Sequence, residues 1–155
     1  MTNLSQFKHY IASDTIEKRI NIMGVEIAHN YQSQGIGRII AVCVLTGAIP
    51  FHADLTRAIS NASQDRLDVR YDVIRAESSQ GEKSSGIVKI LYGPERDPQG
   101  EHVLIVDDIA DTRLTTSELV KLFNNRGAAS VKTAVLLNKE ARKVHDVQLD
   151  YVGFP

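Results

Sequence analysis

The run Ile39-Ile40-Ala41-Val42-Cys43-Val44-Leu45 carries no polar side chain. At seven residues it is far short of the roughly 20 needed to span a membrane. A short, β-branched, uninterrupted apolar run suits a strand covered on both faces, which is the environment of an inner strand in a parallel sheet. Val103-Leu104-Ile105-Val106 repeats the signal, and Val131 to Leu137 supplies a third such segment. Helical patterns alternate with these strands, so the chain is predicted to be an α/β protein with a central, mainly parallel sheet flanked by helices on both faces.

The helical patterns are specific. Ile16, Ile20, Met23 and Ile27 recur at helical spacing behind Asp14-Thr15-Ile16-Glu17, which predicts an amphipathic helix over 14–31 opened by a capping box. A second helix, 50–59, would bury Phe51, Leu55 and Ile59, and a third would run from Thr115 to Arg126 and stop at Gly127. Leu67 to Ile74, with Val69, Tyr71 and Val73 alternating, reads as a strand, as do Ile87 to Leu91 and Val147 to Val152. Between Glu77 and Gly86 there are four Ser and two Gly without apolar periodicity, so a long connection is expected there, of the kind that covers sites.

Length and composition bound the function. A chain of 155 residues with 43% hydrophobic and 24% charged side chains builds one domain with an adequate core and needs no disulfide or structural metal. Cys43 is the only cysteine, and inside an apolar run it acts as a small hydrophobe. Eighteen Lys and Arg against nineteen Asp and Glu give a net charge of -1, so no overall basic field favours nucleic acid or an anionic membrane. The segment Met1 to Ser13 has no apolar signal core, which makes a cytoplasmic protein the expectation.

Chemistry concentrates after Val106. Asp107, Asp108 and Asp111 place three carboxylates within five residues, ahead of Thr112 and Thr115 at a predicted helix start. In open α/β sheets ligands sit at the carboxyl ends of strands, and a helix N-terminus favours an anion. Acids beside an anion site match a ligand that joins hydroxyls or a metal to a phosphate, and a sugar phosphate is the simplest molecule of that kind. The plain structural account is that Asp111 or Thr112 caps the helix and the other acids are solvated.

The segment Val103 to Thr115, VLIVDDIADTRLT, resembles the phosphoribosyl pyrophosphate motif of the type I phosphoribosyltransferases, and of their hypoxanthine-guanine branch in particular. Four further segments resemble the same family in the same order. Val44-Leu45-Thr46-Gly47-Ala48 with Phe51-His52-Ala53-Asp54-Leu55 is similar to its pyrophosphate loop and helix, and Ser84 to Leu91 to the end of its lid. Leu136-Leu137-Asn138-Lys139 and Asp150 to Phe154 are similar to its purine-holding segments.

The resemblance implies a single phosphoribosyltransferase-like domain over 1–155, with about 1–37 contributing to the hood and 38–155 forming the core. It implies transfer of the 5-phosphoribosyl group to a 6-oxopurine, with Mg2+ as cofactor. Asp107 and Asp108 would hold the ribose hydroxyls and the metal. Thr112, Arg113, Leu114 and Thr115 would hold the 5-phosphate, Thr46 and Gly47 the pyrophosphate, and Asp111 would act as the catalytic acid/base. Lys139 would donate to the 6-oxo group, Tyr151 would stack on the base and Val152 would read it through its backbone. Partners would be phosphoribosyl pyrophosphate, a purine base or nucleoside monophosphate, and further copies of the chain as a homodimer or homotetramer, with no nucleic acid and no membrane.

Four positions depart from the family pattern. Thr46 stands where many relatives carry Lys, Glu77-Ser78 where many have Ser-Tyr, and Arg113 where glycine is usual; relatives also continue beyond Pro155. These departures predict a reduced hood, a weakened hold on the purine and slow turnover. They also admit a protein of the same fold that binds phosphoribosyl pyrophosphate or a nucleotide as a regulator.

Overall fold

The computed structural model describes residues 11–78 and 86–155. Residues 79–85, and with them most of the segment expected to form a lid, lie outside the described residues. The element order is α1 (Ser13–Ser33), β1 (Arg38–Val44), α2 (Ile49–Ser63), β2 (Asp68–Ser78), β3 (Val88–Tyr92), β4 (His102–Ala110), α3 (Leu114–Asn125), β5 (Ser130–Asn138) and β6 (Tyr151–Phe154). They form one six-stranded sheet in the order β3-β2-β1-β4-β5-β6. All neighbours run parallel except β2 and β3. The three apolar runs are therefore inner strands, as their composition requires.

The pleat of each inner strand feeds two cores. Ile39, Leu104, Val106 and Ala134 face α1 and α2, while Ile40, Val42, Val44, Val103 and Ile105 face Leu119 and Phe123 of α3. Helices α1 and α2 pack closely: a Cβ on Gly24 would lie 2.6 Å from the Cβ of Ala58. This fixes the helical layer on which β1 and β4 rest.

Several boundaries differ from expectation, each for a local reason. Asp14 does not cap α1; the N-cap is Ala12, and the Asp14 carboxylate accepts the N–H of Thr15 inside the first turn. Strand β2 buries Asp72 and Ile74 and leaves Tyr71 57% exposed. The buried Asp72 is satisfied by the backbone N–H groups of Val73, Glu95 and Arg96, so it anchors the turn after β3. Strand β6 begins at Tyr151 rather than Val147. Ahead of it, Thr133 N–H donates to Asp150 Oδ2 at 2.9 Å and Asp150 N–H donates to Thr133 Oγ1 at 3.1 Å, so side-chain bonds take the place of ladder bonds.

The correction that matters most lies in β4. Asp107 and Asp108 belong to the strand and not to a loop after Val106, because β5 keeps pairing alongside: Asp107 opposes Val135 and Ala110 opposes Asn138.

Candidate active site

On its other side β4 pairs with β1 only as far as Val106, opposite Cys43. The carboxyl end of β4 thus overhangs a notch where β1 stops, the place where open α/β sheets bind ligands. A cleft of about 610 Å³ occupies it, lined by Val44, Asp107, Asp108, Ile109, the segment 111–116, and Arg142, Val144 and His145. Ala76, Ser78 and Gly86 close its far side.

The two acids on β4 are held by their own backbone. Asp107 Oδ1 accepts the N–H of Asp108 and Asp108 Oδ1 accepts the N–H of Ile109, each at 2.9 Å. Burial, and next the neighbouring Asp108 carboxyl, push Asp107 up to about 8. Thr46 and Gly47 are exposed at the mouth, in the turn that follows β1, where the Leu45–Thr46 peptide is cis and the Thr46 carbonyl accepts the N–H of Ile49. A Cβ on Gly47 would lie 2.5 Å from Asp108 Oδ2, so the loop reaches the acid pair only because residue 47 has no side chain.

The expected phosphate segment also opens on the cleft. Asp111, Thr112, Arg113, Leu114 and Thr115 all line it. The first bond of α3 runs from Ser117 N–H to the Arg113 carbonyl. The amides of Thr115 and Thr116 precede that bond and are among those a helix start leaves for an anion. Leu114 N–H reaches Thr112 Oγ1 at 3.4 Å. Asp111 Oδ1 lies 3.1 Å from Arg142 Nε, an ion pair across the cleft.

Arg113 also has partners outside the phosphate segment. It is the N-cap of α3 with φ 66°, a left-handed conformation that costs a residue with a side chain about 1 kcal/mol or more. Its guanidinium is buried and faces Asn138, Glu140 and the carbonyl of Val147. The residue lines the cleft while its guanidinium bonds to the segment after β5.

The purine residues are only partly gathered. Lys139 is exposed directly after β5, its N–H donating to the Ala110 carbonyl at 2.9 Å, but it does not line the cleft. Tyr151 is 5% exposed in the core beneath α1, and its hydroxyl accepts a bond from Asn30 Nδ2. Val152 gives its carbonyl to Arg19 Nη2 at 2.7 Å. Neither residue lines the cleft, and α1 supplies the partners of their polar groups through Asn30 and Arg19. Arg142 and His145 line the cleft without having been singled out from the sequence. Their signal was the cluster of basic side chains Arg142, Lys143 and His145 between two site segments.

Comparison with known proteins agrees with this geometry. A model of the phosphoribosyl transferase domain matches residues 13–155. The hypoxanthine-guanine phosphoribosyltransferase of Bacillus subtilis is 37% identical over 150 residues, which cover 95% of this chain and 77% of the relative. The hypoxanthine-guanine-xanthine phosphoribosyltransferase of Tritrichomonas foetus is 34% identical over 142 residues, covering 91% of this chain and 73% of the relative. Among solved structures, the hypoxanthine phosphoribosyltransferase of Trypanosoma cruzi superposes with a TM-score of 0.82 at 32% identity, covering 96% of this chain and 81% of that one. A hypoxanthine-guanine phosphoribosyltransferase of Bacillus anthracis, with a HEPES molecule in its active site, gives 0.84 at 29% identity, with coverages of 96% and 83%. With an acid pair, a third acid and a helix start converging on the notch at the end of β1, the chain belongs to the phosphoribosyltransferase family, in its hypoxanthine-guanine branch.

Proposed function

We propose that this cleft transfers the 5-phosphoribosyl group from phosphoribosyl pyrophosphate to a 6-oxopurine, hypoxanthine or guanine, and releases pyrophosphate, as a step of purine salvage. The observation that carries the reading is the convergence of Asp107, Asp108, Asp111 and the start of α3 on one cleft. The carboxylates suit ribose hydroxyls, and the α3 amides with the hydroxyls of Thr112 and Thr115 suit the 5-phosphate. Asp111 stands between the two groups.

The acid pair fits Mg2+. Asp107, which burial and then the neighbouring Asp108 carboxyl hold up to about 8, gains with Asp108 from a hard divalent cation, which takes one or two carboxylates and completes its shell with substrate oxygens and water. Asp107 and Asp108 are the residues that would hold it, and bound there it would neutralise charge on the departing pyrophosphate. In the reaction the bond from ribose C1 to the pyrophosphate oxygen breaks and a bond from C1 to a purine ring nitrogen forms. The proton on that nitrogen passes to Asp111, whose carboxylate Arg142 holds toward the cleft. Lys139 donates to the 6-oxo group from the strand end fixed by Ala110.

We further propose a cytoplasmic homodimer or homotetramer. Tyr71, Leu91 and Tyr92, with exposures of 57%, 42% and 50%, give the β2–β3 edge an apolar surface that supports self-association. No described helix is long and apolar enough to cross a membrane.

The test of the reaction is product analysis. The full chain, incubated with magnesium, phosphoribosyl pyrophosphate and each of hypoxanthine, guanine and xanthine, is expected to release pyrophosphate and nucleoside monophosphate in equal amounts. Pyrophosphate released without nucleotide, or tight binding of phosphoribosyl pyrophosphate with no turnover, would replace transfer by hydrolysis or by a binding role.

A further inference from the structure

We infer that Arg113 is a positioning residue that locks the base-recognising segment after β5 onto the phosphate loop, so that Lys139 and the phosphate site move as one body. The inference rests on the roles proposed above for Lys139 and the start of α3. Its evidence is the set of contacts around one buried guanidinium.

Arg113 sits at the turn between Asp111 and α3 with φ 66° and 8% exposure. Its Nη2 donates to Asn138 Oδ1 at 3.3 Å and to Glu140 Oε2 at 2.5 Å, and its Nη1 donates to the Val147 carbonyl at 3.1 Å. Asn138 and Glu140 are the two residues flanking Lys139, and Asn138 Nδ2 in turn donates to Glu140 Oε2 at 3.0 Å. One planar fork therefore grips both sides of the lysine and the far end of its loop, a task to which a lysine ammonium is unsuited.

The backbone runs the same way. Lys139 N–H donates to the Ala110 carbonyl, and the N–H groups of Val144 and His145 donate to the Thr112 carbonyl at 3.2 and 3.0 Å. Segments 110–113 and 138–147 are thus laced together, and Arg113 is the only side chain seen bonding from the first to three points of the second among the described residues. A ligand that touches only the phosphate loop would not depend on this lacing. A ligand that bridges phosphate and base would, because its affinity requires the distance between the two halves to be set in advance.

The experiment compares two such ligands on the full chain. Ribose 5-phosphate reads the phosphate half alone, and inosine monophosphate reads both halves. Arg113→Gly suits the left-handed backbone and removes the fork, while Glu140→Gln leaves residue 113 untouched and removes its charged partner. Titration calorimetry is expected to show inosine monophosphate weakened about tenfold in each variant, with ribose 5-phosphate changed by less than about twofold. Equal weakening of both ligands in Arg113→Gly would make Arg113 a phosphate ligand and overturn the inference, as would unchanged inosine monophosphate binding. If the unmodified chain binds ribose 5-phosphate but not inosine monophosphate, the transfer reading fails on its own account. Hydrogen exchange then decides the lacing: faster exchange of the Val144 and His145 amides in both variants sustains it, and unchanged exchange removes it.

Discussion

Gly47 and Asp108 are in direct contact across the mouth of the cleft, with Asp108 Oδ2 only 2.5 Å from where a Cβ on Gly47 would stand. The turn after β1 and the acid pair of β4 therefore share one space. Gly47→Ala must displace either the carboxylate or the turn. Because a misplacement of about 1 Å at a reacting centre costs about 100-fold, the variant is expected to lose kcat/KM on that scale. Residue 47 is exposed, so the thermal midpoint should hardly move. Steady-state kinetics beside a thermal melt checks both halves of this expectation.

Asp107 gives a pH signature. Its folded-state value of about 8 exceeds the ordinary 3.8, so below about pH 4 both folded and unfolded chains keep the proton. Between these values only the unfolded chain ionises there, and this residue's contribution to stability falls as pH rises. Without metal, Asp107→Asn should therefore match the parent near pH 4 and exceed it by a margin that widens steadily toward pH 8. Urea unfolding in chelator across that range measures the gap. A gap that stays constant with pH would show that Asp107 is not held protonated.

The start of α3 is expected to bind phosphate through its amides. Ribose 5-phosphate should shift the amide resonances of Leu114, Thr115 and Thr116 in a saturable manner, and Thr115→Val should weaken that binding by about 1.5–3 kcal/mol, the worth of a hydrogen bond to a charged group. Resonances unmoved at saturating ligand would place the phosphate elsewhere.

How far the sequence carries the structure can be judged from particular residues. The runs at Ile39, Val103 and Val131 identify inner strands because burial on both faces excludes polar side chains, and the convergence of Asp107, Asp108 and Asp111 at a helix start is a local pattern that the chain displays openly. The extent of β4 is hidden because two adjacent aspartates look like a loop until β5 pairs with Asp107, Ile109 and Ala110. Asp72 was hidden for a similar reason, since its three N–H donors include two more than twenty residues away in sequence. Tyr151 and Val152 were assigned by resemblance, and only the seating of α1 with Asn30 and Arg19 shows what takes their polar groups. Arg113 illustrates the limit most sharply: its unusual φ follows from its place in the motif, but the direction of its guanidinium depends on Asn138 and Glu140, which only folding brings near.

The central claim is that Asp111 moves the purine proton during phosphoribosyl transfer in this cleft. The most direct measurement is the initial rate of nucleoside monophosphate formation from hypoxanthine or guanine by the parent chain and by Asp111→Asn, with the affinity for phosphoribosyl pyrophosphate measured on both. The parent is predicted to turn over and the variant to lose about 10²- to 10⁴-fold in rate while still binding phosphoribosyl pyrophosphate. Full activity in Asp111→Asn, or a parent chain that binds phosphoribosyl pyrophosphate and forms no nucleotide, would contradict the account.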